Sequence, residues 1–178
     1  MQGDTVLDEA LPLQPALLAL AGLPGAGKTT LARALAARCA WPVLNLDEIR
    51  AAMFADGGFS EIENAAAQAG LWSALRAYAQ QGRPVIVDAM RFADTGQRQQ
   101  FRGLGMAFGL RSRLVLLDCA LVEALRRLGP MAGAGREPRV VRQVAAHFAP
   151  PDESMLILDA RLPTESLVER VLDSLREA

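Results

Sequence analysis

Residues 16–30 of this chain read ALLALAGLPGAGKTT, an apolar run that leads straight into a glycine-rich turn. From Gly22 to Thr29 the letters fit the pattern G-x-x-x-x-G-K-[ST], and a stretch rich in Ala, Leu and Arg follows. Glycines let a backbone turn its N–H groups inward around phosphate groups, and the helix that follows adds its positive N-terminal end. These residues therefore predict a strand, a phosphate-binding loop (P-loop) and a helix, in that order.

The side chains in this loop indicate a nucleoside triphosphate with Mg²⁺. Lys28 is the one lysine among 19 basic residues, and a compact ammonium on a flexible stem suits a tight phosphate loop better than a planar guanidinium. We expect Lys28 to reach the β- and γ-phosphates and the Thr29 hydroxyl to ligate Mg²⁺. The predicted nucleotide-binding residues are Gly22, Pro24, Gly25, Ala26, Gly27, Lys28, Thr29 and Thr30.

The composition is globular and shows no bias toward polyanionic partners. The chain has 178 residues, of which 51% are hydrophobic and 22% charged, and its net charge is −1. This balance makes nucleic acid an unlikely partner, and no apolar run reaches the ~18 residues that a membrane span needs. We expect a flexible leader over residues 1–15, a single domain over 16–178 and a cytoplasmic location, with Cys39 and Cys119 as small buried side chains.

Short apolar runs alternate with helical stretches along the rest of the chain, which predicts an α/β fold with a parallel sheet and helices on both faces. Residues 129–138 read GPMAGAGREP and predict a small lid. The predicted strands are 16–21, 43–46, 84–87, 114–117 and 156–158. The predicted helices are 28–39, 48–55, 61–81, 95–106, 120–128, 138–148 and 164–176.

Four of the predicted strands end in aspartate: Asp47, Asp88, Asp118 and Asp159. In an open parallel sheet ligands bind beyond the carboxyl ends of the strands, so all four lie on the correct side. Asp88, after the run VIV, is predicted to hold Mg²⁺ directly or through water. Asp47 is predicted to be the base that takes a proton from an acceptor hydroxyl, with helix capping alone as its alternative. Asp118 and Asp159 are predicted to be structural helix caps.

Arginines surround the predicted lid, where guanidinium groups could neutralise the charge that spreads over a transferring phosphoryl group. Arg127 and Arg136 are the predicted triphosphate contacts, and Arg136 is assigned a catalytic role. Arg142 is expected to lie on a solvated helix face, and His147 is expected to be structural.

The chain resembles the small P-loop kinases grouped with polynucleotide kinase, zeta toxin and chloramphenicol phosphotransferase. The resemblance rests on GLPGAGKTT, NLDEIR, VIVDA, LLDCALVEALRRL and FAPPDES, and it extends from residue 16 to about residue 176. It implies a three-layer P-loop NTPase fold with strand order 2-3-1-4-5. It also implies that Asp47 is the base, that Arg50 binds the acceptor and that Asp88 lies beside the metal. Arg91, next to Asp88, is added to the predicted acceptor site, although AMRF is not the polar pair expected there.

We therefore predict an ATP-dependent kinase that uses Mg²⁺ and phosphorylates a hydroxyl of a small molecule. A nucleic-acid 5′-hydroxyl kinase and a zeta-toxin-like sugar-nucleotide kinase are alternative enzymes. A nucleotide-dependent switch without a transfer acceptor is the alternative from another class. Neither the acceptor nor the oligomeric state follows from the sequence.

Overall fold

A five-stranded parallel sheet forms the centre of the molecule. The structure, a computed structural model, describes residues 13–54, 60–129 and 135–177. All four strand pairs in this sheet are parallel. The strands are β1 (Ala16–Ala21), β2 (Val43–Asn45), β3 (Val85–Asp88), β4 (Arg111–Asp118) and β5 (Leu156–Asp159).

The strand order is β2-β3-β1-β4-β5, which confirms the order implied by the resemblance. All six residues of β1 are buried, because this strand lies in the middle of the sheet and is covered on both faces. A strand in that position must be apolar along its whole length rather than alternating. The unbroken run ALLALA has this composition.

Helices cover both faces of the sheet, which confirms the three-layer α/β fold. They are α1 (Lys28–Cys39), α2 (Leu46–Met53), α3 (Glu61–Gln80), α4 (Thr95–Ala107), α5 (Leu121–Leu128), α6 (Pro138–Ala146) and α7 (Thr164–Arg176). Alternate residues of β1 divide between two hydrophobic clusters: Leu18 and Leu20 pack with α1 and α7, whereas Leu17 and Ala19 pack with α3 and α4.

Most predicted boundaries lie within two residues of the observed ones. β4 is the largest exception, since it begins at Arg111, three residues earlier than expected. Most of the predicted leader and half of the predicted lid, residues 1–12 and 130–134, lie outside the described residues. In the described part of the chain, no helix combines the length and apolar character that crossing a bilayer requires.

The sheet brings the candidate functional residues to one edge. Asn45 at the end of β2 is paired in register with Asp88 at the end of β3. Asp118 and Asp159 are paired in the same way at the ends of β4 and β5. The glycine-rich loop leaves β1 at this same edge, so the carboxyl end of the sheet forms the floor of the site.

Candidate active site

The backbone of the glycine-rich loop takes conformations that other residues rarely adopt. Gly22, Gly25 and Gly27 have φ values of 132°, 86° and 101°. A Cβ atom on Gly22 would lie 2.7 Å from the carbonyl oxygen of Leu117, and one on Gly25 would lie 2.5 Å from that of Ala124. Both contacts are too short for any side chain. Gly27 precedes α1 and supplies no side-chain cap, so the first N–H groups of α1 face outward toward an anion.

Lys28 is buried in this loop. Its Nζ donates hydrogen bonds to the carbonyl oxygens of Gly22 at 2.9 Å and Leu23 at 2.8 Å. Burial lowers the pKa of Lys28 to about 8, and the nearby carboxylate of Asp88 opposes that shift. A desolvated ammonium whose described partners are neutral carbonyls retains a strong affinity for an anion.

Asp88 has the properties of a metal-binding carboxylate. Its side chain is fully buried, and its Oδ2 accepts a hydrogen bond from the Asn45 Nδ2 at 2.8 Å. Its Oδ1 is buried with no partner among the described residues. A buried carboxylate oxygen without a donor is costly unless a ligand satisfies it, so Asp88 fits the predicted Mg²⁺ role. The described residues contain no group of three His, Cys or acidic side chains that could hold a metal ion, and Mg²⁺ at nucleotides needs only one or two protein carboxylates besides the phosphates.

Asn45 connects this carboxylate to the predicted base, and the sequence analysis missed it. Its Oδ1 accepts hydrogen bonds from the backbone N–H groups of Asp47 at 2.9 Å and Glu48 at 3.1 Å. Asn45 is thus the N-cap of α2, and the interpretation of Asp47 as a helix cap is wrong. An asparagine that ends an apolar run before a helix is a recognised capping signal, but its bond to Asp88 could not be read from that pattern.

Asp47 lies between two arginines from different elements. Its Oδ1 accepts a hydrogen bond from the Arg50 Nη1 at 3.0 Å, one turn along α2. Its Oδ2 accepts one from the Arg136 Nη2 at 2.9 Å. The side chain of Asp47 is 35% exposed, whereas that of Arg50 is 10% exposed. The fold therefore brings three of the predicted site residues into direct contact at the mouth of the cleft.

Arg91 is presented by an unusual loop between β3 and α4. The flanking residues Ala89 and Phe92 have positive φ values of 64° and 50°, a conformation that costs free energy for residues with a Cβ. The backbone carbonyl of Arg91 accepts a hydrogen bond from the Gly22 N–H at 3.2 Å. Its side-chain Nη2 donates to the carbonyl oxygen of Gly135 at 3.1 Å. Arg91 thus contacts both the glycine-rich loop and the segment after residue 134.

Arg98 holds that loop in place, and sequence reasoning also missed it. This side chain is 0% exposed, and its guanidinium donates to the carbonyl oxygens of Phe92 at 2.8 Å, Ala149 at 2.8 Å and Pro150 at 2.6 Å. It also lies over the ring of Phe148, 5.3 Å from the centroid. The helical spacing of α4 indicates an inward position for residue 98, but an arginine there reads as a surface residue.

Arg127, which is predicted to contact the triphosphate, lies against the glycine-rich loop. Its Nη1 donates to the Ala26 carbonyl oxygen at 3.3 Å, and its Nη2 donates to that of Ala160 at 2.9 Å. Its Nε donates to the Glu123 carboxylate at 2.7 Å. Hydrogen bonds from Arg126 and Arg127 lower the pKa of Glu123 to about 2. Arg127 is therefore already oriented beside the loop.

The other aspartates at the sheet edge are not helix caps. Helix α5 begins after Ala120 and has no side-chain cap, so the capping interpretation of Asp118 is wrong. Asp159 accepts a hydrogen bond from the backbone N–H of Arg161 at 2.9 Å, and its ion pair with the Arg161 guanidinium lowers its pKa to about 2. It stabilises a turn rather than α7, so its capping interpretation is also wrong. The two cysteines are half-buried rather than fully buried.

One cavity of about 1080 Å³ joins these features. It runs from the glycine-rich loop, past Asp47 and Arg50, to side chains of α3, α4 and α6. Arg91, Arg127 and Arg136 also line it. This volume is at the upper end of the range for small-molecule sites, and it is large enough for two small ligands side by side.

Comparisons with known proteins agree with the fold described above. A family model described as "AAA domain" matches residues 17–151. Among curated proteins, none matches the chain by sequence. The APS kinase CysC of Mycobacterium tuberculosis, solved in complex with AMPPNP and APS, is 23% identical, with a TM-score of 0.72 over 94% of this chain and 100% of that chain.

Two further solved structures are similar. A gluconokinase from Sinorhizobium meliloti 1021 is 17% identical, with a TM-score of 0.65 over 92% of this chain and 93% of that chain. A sugar kinase from Janibacter sp. HTCC2649 is 21% identical, with a TM-score of 0.62 over 92% of this chain and 96% of that chain. At these identities the likeness shows a shared fold.

Proposed function

The chain belongs to the AAA domain family, and on that premise we propose that it is an ATP-dependent kinase that phosphorylates a hydroxyl of a small molecule. The observation that carries the proposal is that one cavity contains both a phosphate-binding loop and a carboxylate able to act as base. Lys28 and Asp47 both line this cavity. A protein that binds nucleotide without phosphoryl transfer or hydrolysis has no need of a base in that position. Placement in the polynucleotide kinase, zeta toxin and chloramphenicol phosphotransferase-like group, and a cytoplasmic location, are part of the same proposal.

The nucleotide-binding roles follow from the contacts described above. Backbone N–H groups of the glycine-rich loop and of the first turn of α1 would hold the phosphates together with the Lys28 ammonium, except those of Gly22 and Ala26, which donate to the carbonyl oxygens of Arg91 and Leu23. Arg127 beside the loop would add a second cation. Thr29 and Asp88 would hold Mg²⁺, which when bound neutralises charge on the phosphate oxygens. The unpartnered Asp88 Oδ1 supports this assignment.

Asp47 would carry the proton transfer. As the acceptor oxygen forms its bond to the γ-phosphorus, the hydroxyl proton passes to a carboxylate oxygen of Asp47, and the bond between that phosphorus and the β–γ bridging oxygen breaks. ADP departs with that electron pair. Both Asp47 oxygens accept hydrogen bonds from arginines, so the base is held in a fixed orientation. Transfer of Arg136 from Asp47 to the phosphoryl group would free one oxygen for the proton and neutralise developing charge.

The test compares Asp47→Asn with Glu48→Gln, a charge-removing change at the neighbouring exposed position. Phosphate transfer from ATP to a panel of hydroxyl compounds would be measured together with Mg–ATP affinity by calorimetry. Removing a general base lowers turnover by ~10²–10⁴-fold, so Asp47→Asn should lose at least ~100-fold while it binds Mg–ATP within a few-fold of the unmodified protein. Glu48→Gln should keep both properties.

Two outcomes would count against the proposal. Full transfer activity in Asp47→Asn would show that Asp47 is not the base. ATP binding with no acceptor-stimulated turnover in the unmodified protein would favour a nucleotide-dependent switch instead.

A further inference from the structure

Three carboxamide side chains that have no hydrogen-bond partner among the described residues line the cavity. Gln68 of α3, Gln97 of α4 and Gln143 of α6 come from three different helices and all line the cavity. Across the described residues, none of these three side chains has a hydrogen bond to the protein. A carboxamide both donates and accepts, as a hydroxyl group does. Three of them around one space therefore suit a ligand with several hydroxyl groups.

Arg91 adds a positive charge to the same space. Burial lowers the pKa of Arg91, and the carboxylate of Asp47 opposes that shift. Its one hydrogen bond within the described structure goes to the neutral carbonyl of Gly135, whereas Arg50 and Arg136 each donate to the carboxylate of Asp47. A guanidinium has five N–H donors, and a desolvated one with most of its donors unused is a strong anion-binding group.

Aromatic side chains are nearly absent from the described lining of the cavity. Within the described residues no Phe, Tyr or Trp side chain lines it, and His147 is the one aromatic residue. Proteins that bind bases outside a duplex rely on stacking against aromatic side chains, which contributes ~1–3 kcal/mol per base. This lining does not favour a nucleobase or an aromatic alcohol on the acceptor side.

From these three observations we infer that the acceptor is a non-aromatic polyhydroxylated compound that carries a carboxylate or phosphate group. Arg91 binds the anionic group, and Gln68, Gln97 and Gln143 bind the hydroxyls that are not phosphorylated. The hydroxyl that reacts is the one delivered to Asp47. This inference rests on the proposed kinase function and narrows it to one class of acceptor.

The test is a matched panel of acceptors with Mg–ATP. It contains aldonic acids, sugar monophosphates, the neutral aldoses and polyols with the same carbon skeletons, and ribonucleosides. We expect a compound from one of the two anionic groups, the aldonic acids or the sugar monophosphates, to have a kcat/KM at least tenfold higher than that of its neutral counterpart. Comparison of these two groups of compounds then shows whether the anionic group is a carboxylate or a phosphate.

Substitutions test which side chains discriminate between anionic and neutral acceptors. Arg91→Gln should raise KM for the anionic acceptor at least tenfold and bring the preference over its neutral counterpart close to one. Arg83→Gln, at the opposite end of β3 from the cavity, should leave the preference unchanged. Gln97→Leu should raise KM for charged and neutral polyols alike, whereas Gln100→Leu, an exposed position on the same helix, should not.

The outcomes that would overturn the inference are distinct from those that would overturn the kinase proposal. Preferred turnover of a neutral sugar or a nucleoside refutes the inference and leaves the kinase function standing. A tenfold loss of Mg–ATP affinity in Arg91→Gln with an unchanged acceptor preference assigns Arg91 to the triphosphate, and this also refutes it. Absence of Lys28-dependent transfer to every compound in the panel refutes both.

Discussion

Replacing Arg98 with methionine tests whether a buried arginine holds the acceptor side of the site together. Arg98 connects α4 to two other stretches of chain, because its guanidinium donates to the carbonyl oxygen of Phe92 and to those of the adjacent residues Ala149 and Pro150. Phe92 follows Arg91 in the strained loop, and Ala149 donates its own N–H to the Ala93 carbonyl oxygen at 2.8 Å. Methionine fills a similar volume but makes none of these bonds, so the buried carbonyl group of Phe92 and the partly buried ones of Ala149 and Pro150 would lose a donor.

The magnitude follows from those three bonds. A typical intramolecular hydrogen bond contributes ~1 kcal/mol net, and a buried acceptor left without a donor costs ~1–3 kcal/mol. Relief of the desolvation of a buried cation offsets part of this. We therefore expect Arg98→Met to lower the free energy of unfolding by about 3 kcal/mol. For a chain of this size, that corresponds to a fall of roughly 6–12 °C in Tm.

Urea unfolding and thermal unfolding measure this loss, and Arg102→Met on the same helix is the control. Arg102 forms an ion pair with Asp152 at 2.7 Å at a partly exposed position, and exposed pairs contribute ~0–1 kcal/mol. Arg98→Lys should recover less than half of the loss, since one ammonium cannot reach three carbonyls that converge on a planar fork. An Arg98→Met variant whose stability lies within 1 kcal/mol of the unmodified protein would refute the reasoning.

Three further predictions address the nucleotide side of the site. Gly25→Ala should lower the free energy of unfolding by more than ~3 kcal/mol and abolish Mg–ATP binding, because its Cβ would meet a backbone carbonyl at 2.5 Å. The control Gly82→Ala, also at positive φ but with no atom within 4 Å of its Cβ, should lower it by only ~1–2 kcal/mol. Equal losses of stability in thermal unfolding would contradict this. Lys28 in the free protein has a pKa of about 8, and the triphosphate binds its charged form. Calorimetry should therefore show that the affinity for Mg–ATP falls about tenfold from pH 7 to pH 9. An affinity that does not change with pH would show that the ammonium is not the titrating contact. Asn45→Leu removes the cap of α2 and the hydrogen-bond partner of buried Asp88. It should lower the free energy of unfolding, measured in urea, by about 2–4 kcal/mol. A decrease of less than 1 kcal/mol would show that the hydrogen bond from Asn45 to Asp88 is dispensable.

Local patterns in the sequence predicted the elements of the fold well, including the order of strand, glycine-rich loop and helix at its start. The residues that make the glycine-rich loop are consecutive, so their spacing alone specifies a turn of backbone N–H groups before a helix. The apolar run of β1 likewise identifies a central strand, because only a strand covered on both faces is uniformly apolar. Helix α2 was placed two residues late because Asn45, rather than Asp47, caps it.

The acceptor side depended on contacts that no local pattern contains. Asn45 and Asp88 are 43 residues apart, Arg98 and Pro150 are 52 apart, and Arg136 and Asp47 are 89 apart. The sequence predicted a role for three of these residues, Asp47, Asp88 and Arg136, but it could not show which would meet. It also gave no sign that Arg98 is buried, since an arginine is rarely placed in a core.

The sequence alone determined the phosphate-binding loop, the parallel sheet and the positions of the carboxylates at the strand ends. Each of these features depends on neighbours in the chain or on the regular period of a helix or strand. What only the tertiary structure decided is the grouping of Asp47 with Arg50 and Arg136, the link from Asn45 to Asp88, and the set of unpartnered polar side chains beyond them. Those groupings arise when separate helices and loops pack over the same edge of the sheet, and the geometry of that packing is not a property of any single segment.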